Sequence, residues 1–152
     1  MWIPAARPLA TAAITGTATA AISETDIVAG GKTVIITLAY DTWVTTGATF
    51  DAQRQNIING MDSQQSELLG WDNTVKALQG VAGVVRTSDT VVTVTLDAQL
   101  TYDITVTETI TVTVPSTAVT RATAIIGTPT FNITATGVAN TRRNSLTLVG
   151  VG

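Results

Sequence analysis

The sequence contains neither cysteine nor histidine. Without cysteine there is no disulfide framework and no thiolate nucleophile, and without histidine the commonest general base and metal ligand is missing. Serine and threonine hydroxyls therefore lack the base that usually activates them. We expect a protein that is not an enzyme, with no catalytic residue, no cofactor and no metal site.

Charge is also scarce, because only 12% of the 152 residues are charged and the net charge is −3. Arg142 and Arg143 are the only adjacent basic pair, so we expect no nucleic-acid partner, which would need clustered cations. The apolar runs have strand length, whereas a membrane-spanning helix needs about 20 residues; we expect no membrane partner. Pro4, Arg7 and Pro8 interrupt the apolar stretch that a secretory signal requires.

Threonine is abundant where charged residues are few, with 31 copies in the sequence. Its β-branched side chain suits either face of a sheet. The pattern is clearest from Val91 to Pro115, where apolar residues alternate with threonine as in half-buried strands. The residues predicted to face the core are Val92, Val94, Leu96, Ile110, Val112 and Val114. Glu108 falls in the same apolar register, and an unpaired carboxylate in a core is costly. We therefore expect the strand to be broken near Thr107.

The chain divides into an extended arm over residues 1–10, one domain over residues 11–136 and a tail over residues 137–152. The pattern predicts a first strand from Thr11 to Ile22, a turn over residues 23–31 and a second strand from Lys32 to Val44. In the second strand, the residues predicted to share the buried face are Val34, Ile36, Leu38 and Tyr40.

A helix is predicted over about residues 50–59, with Thr49 as its N-cap and Gly60 as its end. Its apolar side, with Phe50, Ile57 and Ile58, should cover the end of the core. For residues 61–80 we expect a short helical turn followed by a strand. Residues 81–86 and 90–96 are predicted to form a hairpin, and residues 122–136 supply one or two last strands, with Phe131 and Ile133 on one face.

About seven short strands and one inserted helix predict a mainly β protein. The fold expected is an immunoglobulin-like antiparallel β-sandwich with one inserted short α-helix at about 50–59; a jelly roll is the alternative. Either Trp43 or Trp71 is expected to fill the core, and a sugar-binding platform around these two tryptophans is the other interpretation of them.

Two patterns imitate functional sites. The run Ala29 to Thr33, AGGKT, ends like a phosphate-binding loop, but Asp26 stands where glycine is needed and a strand pattern follows. We interpret it as a Gly-Gly turn that enters a strand. The acids Asp97, Asp103 and Glu108 would bind an ion only if their loops met, and we interpret them as solvated loop residues.

Residues 23–120 resemble an immunoglobulin-like module of tailed-bacteriophage structural proteins and of related bacterial sequences. The stretches that carry this resemblance are DIVAGGKT, DTWV, GATFDAQRQNIING, VVRTSDTVVTVTL and YDITVTETITVTVP. The resemblance implies a non-enzymatic virion protein. It supplies no catalytic residue.

The expected role is a capsid decoration or cement protein that binds and stabilises the assembled head shell, located on the capsid surface of the virion. Its partners would be the major capsid protein or other virion subunits, and further copies of itself in a trimer. The arm and tail would make these contacts through Trp2, Ile3, Arg7, Arg142, Arg143, Leu146 and Leu148. The alternative is a receptor- or glycan-binding module of a phage tail, fibre or bacterial surface protein.

Overall fold

Eight short strands form two sheets that enclose the core. The computed structural model describes residues 8–15, 22–65, 70–122 and 124–136. The strands are β1 (Thr11–Thr15), β2 (Ile22–Ser23), β3 (Thr33–Ala39), β4 (Met61–Ser63), β5 (Val84–Arg86), β6 (Val91–Thr95), β7 (Glu108–Val112) and β8 (Thr130–Thr134). One sheet has the order β1-β3-β6-β5 and the other β2-β8-β7-β4. The protein is therefore mainly β, with the architecture of a two-sheet sandwich.

Strand pairing is antiparallel except between β2 and β8, which run parallel. The sequence predicted a wholly antiparallel sandwich, so this pair is a correction. The predicted first strand is also wrong in extent, because Thr11–Thr15 and Ile22–Ser23 belong to different sheets. Residues 11–22 are mostly small and alternate only weakly. Their sequence therefore does not indicate that the two ends of this stretch belong to different sheets.

The core lies between the inner faces of the two sheets. Alternate residues of the strands point into it, which is the period-2 pattern of a half-buried sheet. The inward-facing strand residues, each no more than 3% exposed, are Ile22, Val34, Ile36, Leu38, Met61, Val84, Val92, Val94, Ile110, Val112, Phe131 and Ile133. Leu96 and Val114 are buried as well. The predicted inner faces of these strands are confirmed, with Tyr40 as the exception.

Four short α-helices occur among the described residues: α1 (Glu24–Ala29), α2 (Ala48–Asp51), α3 (Arg54–Asn59) and α4 (Lys76–Leu78). The single helix predicted at about 50–59 is thus two helices with a turn at residues 52–53, and Gly47 takes the N-cap position expected for Thr49. The predicted burial of Phe50, Ile57 and Ile58 is confirmed. Helix α3 contacts β4 of one sheet and β5 of the other, so it covers the core between the sheets.

Helix α1 was predicted as a turn. Ser23 caps it, because the Ser23 hydroxyl accepts from the Asp26 N–H at 3.2 Å and the Asp26 carboxylate accepts from the Ser23 N–H at 2.9 Å. This reciprocal pair is a capping box, which satisfies two backbone donors at the start of a helix. Six residues are too few for a hydrophobic period, so the helix escaped the pattern search.

Residues 61–80 reverse the predicted order of helix and strand. Strand β4 comes first, followed after residues 66–69 by a π-helical turn (Trp71–Val75) that continues into α4. Residues 81–83 form a 3-10 turn before β5, so the predicted hairpin has a shorter first strand. A second 3-10 turn spans Ser116–Ala118.

Candidate functional site

The seven residues predicted to bind partners lie outside the described residues. They are Trp2, Ile3, Arg7, Arg142, Arg143, Leu146 and Leu148. Their assignment therefore stays a prediction. The other candidate sites fall within the described part of the chain.

The tryptophan platform is wrong, because both rings are fully buried. Trp43 and Trp71 are each 0% exposed. The Trp43 Nε1 donates to the Thr90 carbonyl at 3.1 Å, and the Trp71 Nε1 donates to the Met61 carbonyl. The Trp71 ring also meets Phe131 edge-to-face at 5.8 Å between ring centres. Both tryptophans are therefore core residues, whereas the sequence predicted that one of the two would fill the core.

Glu108 lies in the core with its oxygens surrounded by donors. It begins β7, so the predicted break near Thr107 is confirmed, yet its side chain is 0% exposed. The carboxylate accepts from the Tyr102 hydroxyl at 2.6 Å, the Ser63 hydroxyl at 2.8 Å and the Trp71 N–H at 3.1 Å. Burial of a carboxylate is tolerated when hydrogen bonds replace its hydration. Glu108 therefore ties the 71–75 turn and the loop before β7 to the sheet.

The acids proposed as solvated loop residues do not share one environment. Asp97 is exposed and its Oδ2 accepts from the Gly80 N–H at 2.7 Å, whereas Asp103 and Glu108 are buried. The interpretation is thus wrong for Asp103 and Glu108. Within the described ranges, no three acidic side chains come together in a way that could hold a metal ion.

The AGGKT run is a turn that enters a strand, as predicted. Gly30 and Gly31 have φ of 75° and 90°, and β3 begins at Thr33. Lys32 lies 3.6 Å from the Asp26 carboxylate. The pKa of Asp26 is held below its ordinary value, chiefly by the hydrogen bond from the Ser23 N–H and further by the Ser23 hydroxyl and Lys32.

A recess of about 530 Å³ opens where β3 ends. Its lining residues are Pro8, Tyr40, Asp41, Thr42, Thr120 and Arg121. Tyr40, predicted to be buried, is instead 61% exposed because its φ of 65° turns the chain out of the strand. Ala122, next to Arg121, has φ of 50°. These are the two non-glycine residues with positive φ in the described chain, and such backbone strain is concentrated at functional sites.

Hydrogen bonds fix the walls of this recess. The Arg121 Nη1 donates to the carbonyls of Pro8 and Tyr40, at 3.0 Å each. The Asp41 Oδ1 accepts from the N–H groups of Thr42 at 2.8 Å and Arg121 at 3.3 Å, while its Oδ2 is buried without a hydrogen-bond partner among the described residues. The exposed ring, the guanidinium and the threonine hydroxyls suit a polar ligand that also has an apolar face. Sequence reasoning missed this site because Arg121 is 80 positions from Asp41.

The outer face of the β1-β3-β6-β5 sheet carries no charged side chain within the described strands. Thr93 lies at its middle, paired with Ile35 on one side and Val85 on the other. Val85 is 45% exposed. The described residues of this face, which we call the neutral face, are Thr11, Ala13, Thr33, Ile35, Thr37, Ala39, Val85, Val91, Thr93 and Thr95.

The outer face of the other sheet differs from the neutral face. Thr111 lies near its middle, paired with Thr130 on β8 and with Asp62 on β4. Asp62 is in an ion pair with Lys76. Depletion of charge marks the centres of protein interfaces, so the neutral face is the better candidate for contact with another protein.

Comparisons with protein-family models, with curated proteins and with solved structures find no match to this chain. Among the described residues, every helix is too short or too polar to cross a bilayer.

Proposed function

We propose that this chain is an immunoglobulin-like structural subunit of a tailed-phage virion. The observation that carries the proposal is the strand order. When the strands are lettered in chain order, with β2 as an extra edge strand, the two sheets read A-B-E-D and G-F-C. That order is the one found in immunoglobulin domains, and it agrees with the resemblance of residues 23–120 to a phage module.

The role proposed is that of a capsid decoration or cement protein on the outer surface of the head, with the major capsid protein as its main partner. A subunit that binds only the assembled shell stabilises that shell by mass action. The neutral face supports protein contact, because it can be covered without removing a charged group from water. No catalytic step and no cofactor is part of this function.

The neutral face is too small to support a stable contact by itself. Four strands about 4.8 Å apart and five residues of about 3.3 Å give it an area of roughly 300 Å². A standard interface covers about 800 Å² on each partner. The arm and the tail would supply the remaining area, through the residues named above, and a trimer would multiply the contacts of each copy.

The first test is immunogold electron microscopy of particles from the source with an antibody to this chain. We expect label over the whole head. Label confined to the tail, or to cells without particles, would contradict the cement role and favour a receptor-binding one.

The second test separates the neutral face from the arm. Thr93→Lys places a charge at the middle of the neutral face and should weaken binding to heads about tenfold or more. Thr111→Lys is the matched control, since its charge lies opposite Asp62 on the other sheet. A variant lacking residues 1–7 keeps the Arg121 contact with Pro8 and should also bind weakly. Equal binding by Thr93→Lys and Thr111→Lys would exclude the neutral face.

The recess favours a second candidate, a receptor- or glycan-binding module. Tyr40 offers an exposed ring, and the neighbouring Arg121 and Thr42 offer hydrogen-bond donors and acceptors, as a sugar with one apolar face requires. We expect Tyr40→Ala to abolish retention on host polysaccharide if this function holds. Leu100→Ala, which removes a similarly exposed side chain (64%) outside the recess, is the control.

A further inference from the structure

The open edge of β1 is the least protected sheet edge among the described strands. Beyond β1, the edge strands are β5, β4 and β2. Strand β5 is three residues long and ends in Arg86, β4 contains Asp62, and β2 has only two residues. Strand β1 has five residues, TAAIT, without charge or proline. Natural proteins usually block such an edge, because its unpaired backbone groups can bind another strand.

The hydrogen bonds show which groups of β1 point outward. The Ala10 carbonyl accepts from the Ile126 N–H at 2.8 Å, and Thr11 forms a parallel bridge with Ile126, a pattern that also engages the Ala12 N–H with the Ile126 carbonyl. Because backbone groups alternate along a strand, Ala12 and Ile14 point to the same outer edge as Ala10, while Ala13 points to β3. Within the described chain, no strand pairs with the edge beyond this bridge, where the outward groups are the Ala12 carbonyl and the N–H and carbonyl of Ile14.

The C-terminal segment has the pattern of a strand of this sheet. In β3, the inner residues Val34, Ile36 and Leu38 alternate with Thr33, Ile35 and Thr37 on the outer face. In SLTLV, over residues 145–149, Leu146 and Leu148 alternate in the same way with Ser145, Thr147 and Val149. The segment has no charge and no proline. By contrast, residues 1–7 contain Pro4, which cannot donate to a ladder.

We propose that residues 145–149 of a second copy add a strand to the open edge of β1. Eight residues, 137–144, separate this segment from the last described residue, and a chain of that length reaches about 27 Å at most, enough to contact a neighbouring copy. The contact joins the tail of one copy to the sheet of the next, so it is heterologous, and it gives a ring such as a trimer when the rotation between successive copies closes. The inference extends the proposed function and depends on it only for the position of the ring on the capsid.

The test measures oligomeric state in the absence of capsids, so it is independent of the capsid role. Light scattering after size exclusion should give the full chain at least twice the single-chain mass of 15.7 kDa. The chain ending at Arg143 and the Ile14→Pro variant should both be monomeric. Proline at position 14 removes an outward N–H that lies beyond the bridge with Ile126. Ala13→Pro is the matched control, expected to lower the melting temperature because its N–H belongs to the β1 ladder with β3.

Amide exchange measured by NMR decides the result even if Ile14→Pro fails to fold. The Ile14 amide should exchange at least tenfold more slowly in the full chain than in the chain ending at Arg143, and a synthetic peptide of residues 144–152 should restore the protection. The Ala12 amide, which the bridge with Ile126 already engages, is the internal control and should change little. An unchanged mass after truncation would overturn the proposal. A full chain that is monomeric, with the Ile14 amide protected, would show that the tail pairs with its own domain instead.

Discussion

Replacing Tyr102 with phenylalanine removes the shortest hydrogen bond of the buried Glu108 carboxylate, 2.6 Å long. The ring is 1% exposed and keeps its packing, so the change isolates the hydroxyl. Hydrogen bonds to charged groups contribute about 1.5–3 kcal/mol. We expect Tyr102→Phe to lower the free energy of unfolding by about 2 kcal/mol, a large part of the 5–15 kcal/mol typical of a domain.

The neighbouring donors provide graded comparisons. The Ser63 hydroxyl has one proton but two acceptors, Glu108 at 2.8 Å and the Gln65 carbonyl at 2.7 Å, so Ser63→Ala should cost less, about 1 kcal/mol. Glu108→Gln turns one acceptor into a donor that faces the existing donors, and should cost about 2–4 kcal/mol. Residues in contact do not act additively. The cycle of Tyr102→Phe and Glu108→Gln should therefore show a coupling of about 1 kcal/mol or more.

The assay is urea unfolding followed by tryptophan fluorescence, supported by thermal melts. For a chain of this length, 2 kcal/mol corresponds to a drop of roughly 4–8 °C in melting temperature. A loss below about 0.5 kcal/mol for Tyr102→Phe, the range of ordinary surface changes, would refute the reasoning. So would a coupling energy near zero, because the hydroxyl and the carboxylate would then not support each other.

Two further predictions concern helix α1 and the turn that joins it to β3. Gly30→Ala should lower the free energy of unfolding by about 1–2 kcal/mol more than Gly31→Ala, as measured by urea unfolding. Both glycines have positive φ, but only a Cβ at position 30 would meet another atom, the Ala98 nitrogen at 2.5 Å. Equal losses would contradict the close contact. Asp26 has a pKa lowered in the folded protein, so its contribution to stability is present above the unfolded value near 3.8 and is lost as pH falls through the lower folded value. Stability measured from pH 5 to pH 2 should therefore fall less in Asp26→Asn than in the parent chain, and parallel curves would argue against this linkage.

Alternation was enough to predict the inner faces of the strands. In β6 and β7, each apolar residue assigned to the core is buried, because a sheet with one buried face imposes a period of two on its sequence. Helix α1 was also encoded locally, by Ser23 and Asp26, and could have been recognised from its capping box. The arm, the tail and the role in a capsid stay predictions.

Tyr40 and Glu108 show where local patterns fail. Both fall in an apolar register, yet Tyr40 leaves the strand through a positive φ and Glu108 enters the core. The burial of Glu108 is tolerable because of Tyr102 in the preceding loop and because of Ser63 and Trp71, which are 45 and 37 positions away in the chain. No periodicity in a short window contains that information.

The sequence by itself determined that the protein is mainly β, which side of most strands is buried and where charge is absent, because these properties follow from alternation and composition. Tertiary structure alone decided the pairing of strands into two sheets, the parallel contact of β2 with β8 and the recess formed by Asp41 and Arg121. The physical reason is that the strands and side chains that contact one another here are far apart in the sequence. Long-range pairing is fixed by the summed packing of the whole core, and a local pattern records only which residues are available for it.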